Sequence, residues 1–500
     1  MKTILKISLL SLVLGATVIS CTDDFLDVNE NPNQPTVSTP DLTLPVAQER
    51  LADLNGTTMN TVGNFFMYNW AIPSNWSALQ PILQYSVNTT FYPTIFEDSY
   101  IEIFKNLNYV KNYEDGELNY AAYDVIAETM KGFQYQYLVD LYGDVPYSEA
   151  NQRSANLTPK YDDAETIYKS TIDSLTAAAD LALNLPEDFA NPGSQDIIFG
   201  GDMTKWAQFA NTIKLRMLIR LSNTGQDSYI SDQIALIDGN GAGYITEDAA
   251  ANPGYSNDDG KQNPFYDYAG FLTGGGEEDR HDFTAATDYV IEYLQDETND
   301  PRLSRLYAPS DAAGQFKGVY QNIDLPAEGL TSDDLSPIGP GLLKTASADQ
   351  PIMMLSEALL LQAEAVERGY ISGSAQDLYE SAITASFVYL GVDDGDDATT
   401  VEDQAATYYG QDIENVKWTS SNPIEAIITQ KWIALNGTNG IEPFVEFTRT
   451  GFPAGLPTSQ SANNDRPVSL IYPASEYSRN QNNVPARTPS DAFTNNPFWK

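Results

Sequence analysis

The stretch Asp202–Ser222, DMTKWAQFANTIKLRMLIRLS, leaves a chain like this little choice of fold class. Trp206, Phe209, Ile213, Met217 and Leu221 recur three to four residues apart, and Asp202 is placed to cap the first turn. One apolar stripe therefore runs the length of a helix of about six turns. A stripe that long must be covered by other helices. Lys205, Lys214, Arg216 and Arg220 flank it, and the expectation is that they snorkel along the apolar face and pair with carboxylates of neighbouring helices.

Charge and rare residues exclude several kinds of chemistry. Against 27 Lys and Arg stand 69 Asp and Glu, a formal net charge of −42 spread over 500 residues. Such a surface repels nucleic acid and other polyanions, and a neutral ligand fits it best. A single cysteine excludes a disulfide framework and thiolate metal clusters; a single histidine, His281, excludes two-histidine zinc motifs. Ser–His catalysis would rest wholly on His281, inside Glu277-Glu278-Asp279-Arg280-His281-Asp282, and no G-x-S-x-G occurs. With this many acids a chance pair at glycosidase spacing carries no information. Gly239, Gly241 and Gly243 lack the lysine and the context of a phosphate loop, and Asp393–Asp397 lacks the pattern of a calcium loop and reads as a solvated turn. With none of these motifs present, no enzyme activity, no cofactor and no metal is expected.

Residues 1–20 hold Lys2 and Lys6, an apolar run and no acid, which reads as a secretory signal peptide. Val18-Ile19-Ser20-Cys21 resembles a bacterial lipobox, so Cys21 is expected to carry lipid and anchor the chain; the alternative is an ordinary signal peptide beside a stray thiol. Residues 21–41, rich in Asn, Pro, Ser and Thr, read as a flexible tether, and 42–500 as a single domain.

Within that domain, helices are expected over Tyr100–Val110, Tyr120–Tyr142 and Asp163–Leu183, with a turn at Glu114–Glu117. Gly143 and Pro146 punctuate the end of the second. Pro351–Gly369 reads as a further helix burying Ile352, Leu355, Leu359, Ala363 and Val366, with Leu378–Leu390 as its antiparallel partner. Ile424–Leu435 reads as one more core helix. Between Leu221 and Gln350 the texture turns to Gly, Asn, Asp and aromatics, implying long loops with little helix before Ala285–Leu294.

Several phrases resemble the SusD/RagB family, the outer-membrane nutrient-binding lipoproteins of Bacteroidetes. They are the W-x-x-F-A-N-T-x-K-L-R run from Trp206, Asp140–Tyr147, Asp300-Pro301-Arg302-Leu303, S-E-x-x-L-L-x-A-E-A from Ser356, Gln430-Lys431-Trp432, the tail Arg466–Asn480, and the acids after Cys21. The resemblance implies a mostly α fold of tetratricopeptide-like helix pairs with a loop-rich region carrying the ligand site. It also implies a lipid anchor in the outer membrane and a SusC-like TonB-dependent transporter as partner. The ligand expected is a polysaccharide or oligosaccharide, a neutral glycan such as the β-glucan laminarin; the alternatives are peptide capture, as in RagB-like proteins, and a purely structural scaffold.

Sugar rings offer apolar C–H faces rimmed by hydroxyls, so a site for them needs flat aromatics beside polar groups. Two loop stretches supply the mixture, YNWAIPSNWS and GYSNDDGKQNPFYDYAG. Trp76 is expected to be the central stacking residue, with Trp70, Tyr255, Phe265 and Tyr266 as further platforms. Asn263, Asp267, Arg280 and His281 are expected as hydrogen-bonding neighbours. The competing expectation for each ring is that it packs onto the scaffold, as Trp206 and Trp432 should.

Overall fold

The computed structural model describes residues 38–113, 118–322, 329–393, 395–396, 398–418 and 421–500. The signal peptide, Cys21 and the tether up to residue 37 lie outside these residues, as do the Glu114–Glu117 turn and Asp394 and Asp397. A helix over Pro40–Leu54 already includes the last two residues assigned to the tether.

The Met203–Arg220 helix is the buried element its stripe demanded. Asp202 accepts from Thr204 N and Lys205 N, and Trp206, Phe209, Ile213, Met217 and Leu221 are all buried. Trp206 donates from Nε1 to Asp196 at 2.7 Å. Around it stand consecutive helix pairs: Ala121–Tyr142 with Ala164–Leu183, joined by the long connection 143–163, and, joined by short connections, Met203–Arg220 with Asp227–Asn240, Leu355–Glu367 with Ala375–Leu390, and Pro423–Ala434 with Ile441–Thr450. Met203–Arg220 also packs against Leu355–Glu367, which joins the first two pairs to the last two. The scaffold of paired helices is therefore present, although Asp227–Asn240 falls where long loops were expected.

The basic residues of the organising helix depart from expectation in one respect. Arg216 and Arg220 do pair with carboxylates of other helices, but they are completely buried. Arg220 reaches Glu442 at 2.5 Å, Glu446, and Asp140 at 3.5 Å, while Arg216 reaches Glu357 at 3.0 Å. Lys431 holds Glu442 and Glu446 at 2.7 and 2.9 Å, and Arg449 grips Glu364 with two bonds of 2.7 Å. Buried charges are tolerated only when paired this fully. The network also explains why the Leu355–Glu367 helix buries a different face from the one its apolar spacing marked. Glu357, Leu360, Leu361 and Glu364 face inward, while Leu355, Leu359 and Val366 are only partly covered. Pro351 and Ile352 lie outside that helix, in a short strand, Gln350–Met353, paired antiparallel with Ala249–Ala251.

A second short pairing sets out the loop region. Trp70–Ala71 runs antiparallel to Ala285–Ala286, with Trp70 opposite Ala286. It fastens the segment after Trp70 to the stretch that ends the Asp279–Phe283 helix. The expected Ala285–Leu294 helix divides into this strand and a helix over Asp288–Glu292 capped by Thr287. Gly241, one of the three closely spaced glycines, is the left-handed C-cap of Asp227–Asn240, a helix stop with no role for phosphate.

Candidate ligand-binding surface

Three segments meet beside the Trp70–Ala71 strand. Pro73 begins a turn closed by Trp76 N donating to Pro73 O at 3.1 Å, which throws the Trp76 ring outward. The ring is half-buried: its Nε1 donates to Ser332 Oγ at 3.1 Å, and its edge meets Phe283 at 5.7 Å between centroids. Ser74 N donates to Leu330 O at 2.9 Å, so the turn is tied to 330–332 by backbone as well as by side chain.

The second and third walls come from two short helices, Pro264–Ala269 and Asp279–Phe283. The Arg280 guanidinium sits 4.0 Å from the Tyr268 ring centre and 5.7 Å from that of Phe283, so its charge is held against aromatic rings on a half-buried side chain. Tyr266 and His281 both contact Phe271, at 5.7 and 5.0 Å between ring centroids. Nearby, burial raises the phenol pKa of Tyr92, Tyr268 adds to the rise and Arg280 opposes it. Trp76, Arg280 and Tyr268 thus line one strip backed by the buried Phe283 ring, with Tyr266 and His281 beside it through Phe271.

The backbone that presents this strip is strained. Tyr68, Leu79, Tyr85 and Tyr92 all adopt positive φ, between 44° and 58°, a conformation costly for bulky side chains unless their surroundings enforce it. The Phe66 backbone beneath is gripped by Arg466, whose Nε donates to Phe66 O at 2.6 Å.

Not every sequence candidate reaches this surface. Trp70 is only 2% exposed; it stacks on Phe265 at 6.2 Å, and Phe265 is itself buried, so neither ring offers a face to a ligand. Asn263 is also buried and committed, capping Tyr266 N and donating to Ala348 O. These three are packing residues, because the strand at Trp70 turns that ring into the core instead of leaving it in a loop. Tyr255 is half-buried elsewhere: Asn252 holds its N–H, and burial followed by Glu49, Asp53 and Asp349 raises its phenol pKa. Asp267 is exposed on the Pro264–Ala269 helix. Tyr268, absent from the candidate set, packs against Arg280, and Phe283, also absent, backs Trp76 and Arg280 from the core. Tyr268 sat in the same aromatic phrase as Tyr266, whereas nothing local in the sequence marks Tyr92 or Phe283.

Comparison with known proteins follows this geometry. Residues 32–473 match the family model SusD-like_2, described as starch-binding associating with outer membrane. No curated protein matches the sequence. A SusD/RagB family protein from Bacteroides thetaiotaomicron superposes with a TM-score of 0.74 at 19% identity, covering 93% of this chain and 99% of that one. A chitin-binding SusD homolog from Flavobacterium johnsoniae gives 0.71 at 20% identity, covering 88% and 94%. Another chitin-binding protein gives 0.71 at 24%, covering 89% and 95%. At such identities the likeness is one of fold.

Proposed function

This chain belongs to the SusD-like family of proteins that bind starch in association with the outer membrane, and from that premise we propose that it captures a glycan on the cell surface and passes it to a SusC-like TonB-dependent transporter. The observation that carries the proposal is the strip of Trp76, Arg280 and Tyr268 laid over the buried Phe283 ring. Flat rings suit the C–H faces of pyranose units, and the guanidinium edge suits their hydroxyls. The ligand is a neutral polysaccharide or oligosaccharide, for which laminarin is one candidate; two proteins of the same fold are described as binding chitin. A surface with net charge −42 favours such a ligand over acidic polysaccharides.

In this reading the protein performs no chemistry on the glycan. Among the described residues no helix is long and apolar enough to cross a membrane, and attachment falls to Cys21 and the tether. Affinity electrophoresis of the full-length protein against laminarin, starch, chitin oligosaccharides and an acidic polysaccharide tests the proposal. Retardation by at least one neutral glycan, lost in Trp76→Ala, supports it. Absence of retardation by every neutral polymer refutes it.

A further inference from the structure

A cavity of about 520 Å³ opens among residues that the Trp76 strip does not use. Three parts of the chain build it, 96–105, 146–159 and 475–479, and they are fastened to one another. Tyr100 OH donates to Pro146 O at 2.6 Å, Asn151 Nδ2 donates to Tyr100 O at 2.9 Å, and Ser475 Oγ donates to Glu97. The Tyr100 ring is half-buried and wedged between Phe96 and Phe104, at 4.9 and 5.3 Å between centroids. Past Ala150 and Asn151, which line both, the cavity adjoins a second of about 470 Å³ with the amides of Asn108, Asn112 and Gln152 in its wall.

Its lining mixes apolar surface with donors and acceptors that the fold leaves unspent. Ile101 and Leu157 stand at its lips 53% and 78% exposed. The donors are Lys105, Arg153 and Arg479. Lys105 and Arg479 make no side-chain hydrogen bond or ion pair among the described residues, and Arg153 lies over the Tyr109 ring at 5.3 Å. The acceptors begin with Asn151 Oδ1, which is buried and has no partner among the described residues. Glu97 and Glu476 each accept from a protein hydroxyl, Ser475 and Tyr161, on one oxygen and keep the other unpaired among the described residues. Asn151 and Arg153 are held at φ 55° and 52°, strain of the kind that gathers at binding surfaces.

The volume and the apolar lining with a few convergent polar groups are those of a small-molecule site. A polyanion would meet Glu97 and Glu476 on a chain of net charge −42. A wholly apolar ligand would cover Asn151 and the guanidinium groups without pairing them. A neutral chain of sugar rings supplies C–H faces for the lips and hydroxyls that both donate and accept. We propose that this cavity is a second binding site for a neutral oligosaccharide, so that a long polymer meets the protein at two points. The site rests on the neutral-glycan reading above and extends it. With one half-buried ring and no indole it is the weaker of the two by about tenfold or more, too weak alone to retard the protein in a gel. It acts on polymer through avidity, because a chain held at one site stays concentrated near the other.

Hydrogen exchange of the full-length Trp76→Ala variant isolates the cavity, since the platform is gone. Laminarihexaose, maltohexaose and hexa-N-acetylglucosamine are each added at millimolar concentration. At least one should slow exchange in 96–105, 146–159 and 475–479 by about threefold or more. Adding Arg153→Ala and Arg479→Ala, both exposed and outside any ion pair among the described residues, should abolish that slowing and leave the thermal melt unchanged. In the wild-type background the same two substitutions should leave protection at 73–92 as it was. No slowing in the three segments with any of the sugars, or slowing that survives the two arginine substitutions, overturns the second site. If wild type still gains protection at 73–92, the platform stands without it; if wild type gains protection in neither place, the neutral-glycan reading falls as well.

Discussion

Replacing Trp76 by alanine removes the largest ring of the strip, and the structure allows its effects on binding and on stability to be separated. A ring stacked on a ligand contributes roughly 1–3 kcal/mol, so affinity for a bound glycan should fall about 5- to 150-fold. Stability should fall less visibly. The ring is half-buried, makes one hydrogen bond to Ser332, worth about 1 kcal/mol, and one edge contact with Phe283, worth about 1 kcal/mol. Spread over a folded unit from Pro40 to Lys500, a loss of about 2 kcal/mol lowers Tm by only a few degrees, roughly 2–4 °C. Ser332→Ala separates orientation from stacking: the platform remains but loses its tether, and affinity should fall by less than about fivefold. Calorimetric titration beside a thermal melt reads both quantities. Unchanged affinity in Trp76→Ala refutes the platform, and a Tm loss above about 10 °C would show that the ring is a packing residue whose removal disturbs the strip indirectly.

Other outcomes follow from the same structure. Arg220→Met removes the only cation on the buried Asp140 among the described residues and leaves Glu442 and Glu446 short of one of their partners, and should destabilise by about 3–5 kcal/mol in denaturant unfolding, far more than Lys205→Met at the exposed pair with Glu247. Burial pushes the Glu442 carboxyl up, but Arg220, Lys431 and Arg216 outweigh it and hold the pKa down at about 2. A depressed folded-state pKa stabilises above the ordinary carboxylate range and is lost as pH falls through the folded value, so acid melts should show stability eroding between about pH 4.5 and 2. Cys21→Ala should release the protein from outer-membrane fractions, and continued fractionation with them would remove the lipid anchor from the account. A mild-detergent pull-down of the wild type from native cells should bring down a large β-barrel transporter; recovery without any barrel protein would contradict delivery.

The scaffold was legible because its signals are local. Asp202, Asp163 and Gly143 mark the helix ends they cap in the structure, and the Trp206 stripe is buried along its whole length. The face of Leu355–Glu367 was misread because Glu357 and Glu364 look solvent-facing by composition, and only the distant Arg216 and Arg449 make their burial tolerable. The loop site was legible in part for the same reason. Trp76 follows Pro73 in a turn that the proline announces, so its exposure could be anticipated. Trp70 lies six residues earlier in equally polar company. Its burial depends on pairing with Ala286, more than two hundred residues away, which no local pattern encodes. The partnership of Arg280 with Tyr268 and of Trp76 with Phe283 likewise arises from the short strand pairing and two short helices. The phrases that brought the family into view lie in the core: Trp206, Arg302 and Trp432 are all fully buried. They identify the scaffold and say nothing of which rings face a ligand.

The central claim is that ligand lands on the strip running from Trp76 to Tyr268, and hydrogen exchange measured with and without a saturating neutral oligosaccharide locates it most directly. The account predicts added protection in 73–92, 264–284 and 330–335, with the paired helices Ala164–Leu183 and Ala375–Leu390 unchanged. Protection confined to those helices, with the three loop segments exchanging as before, would contradict it.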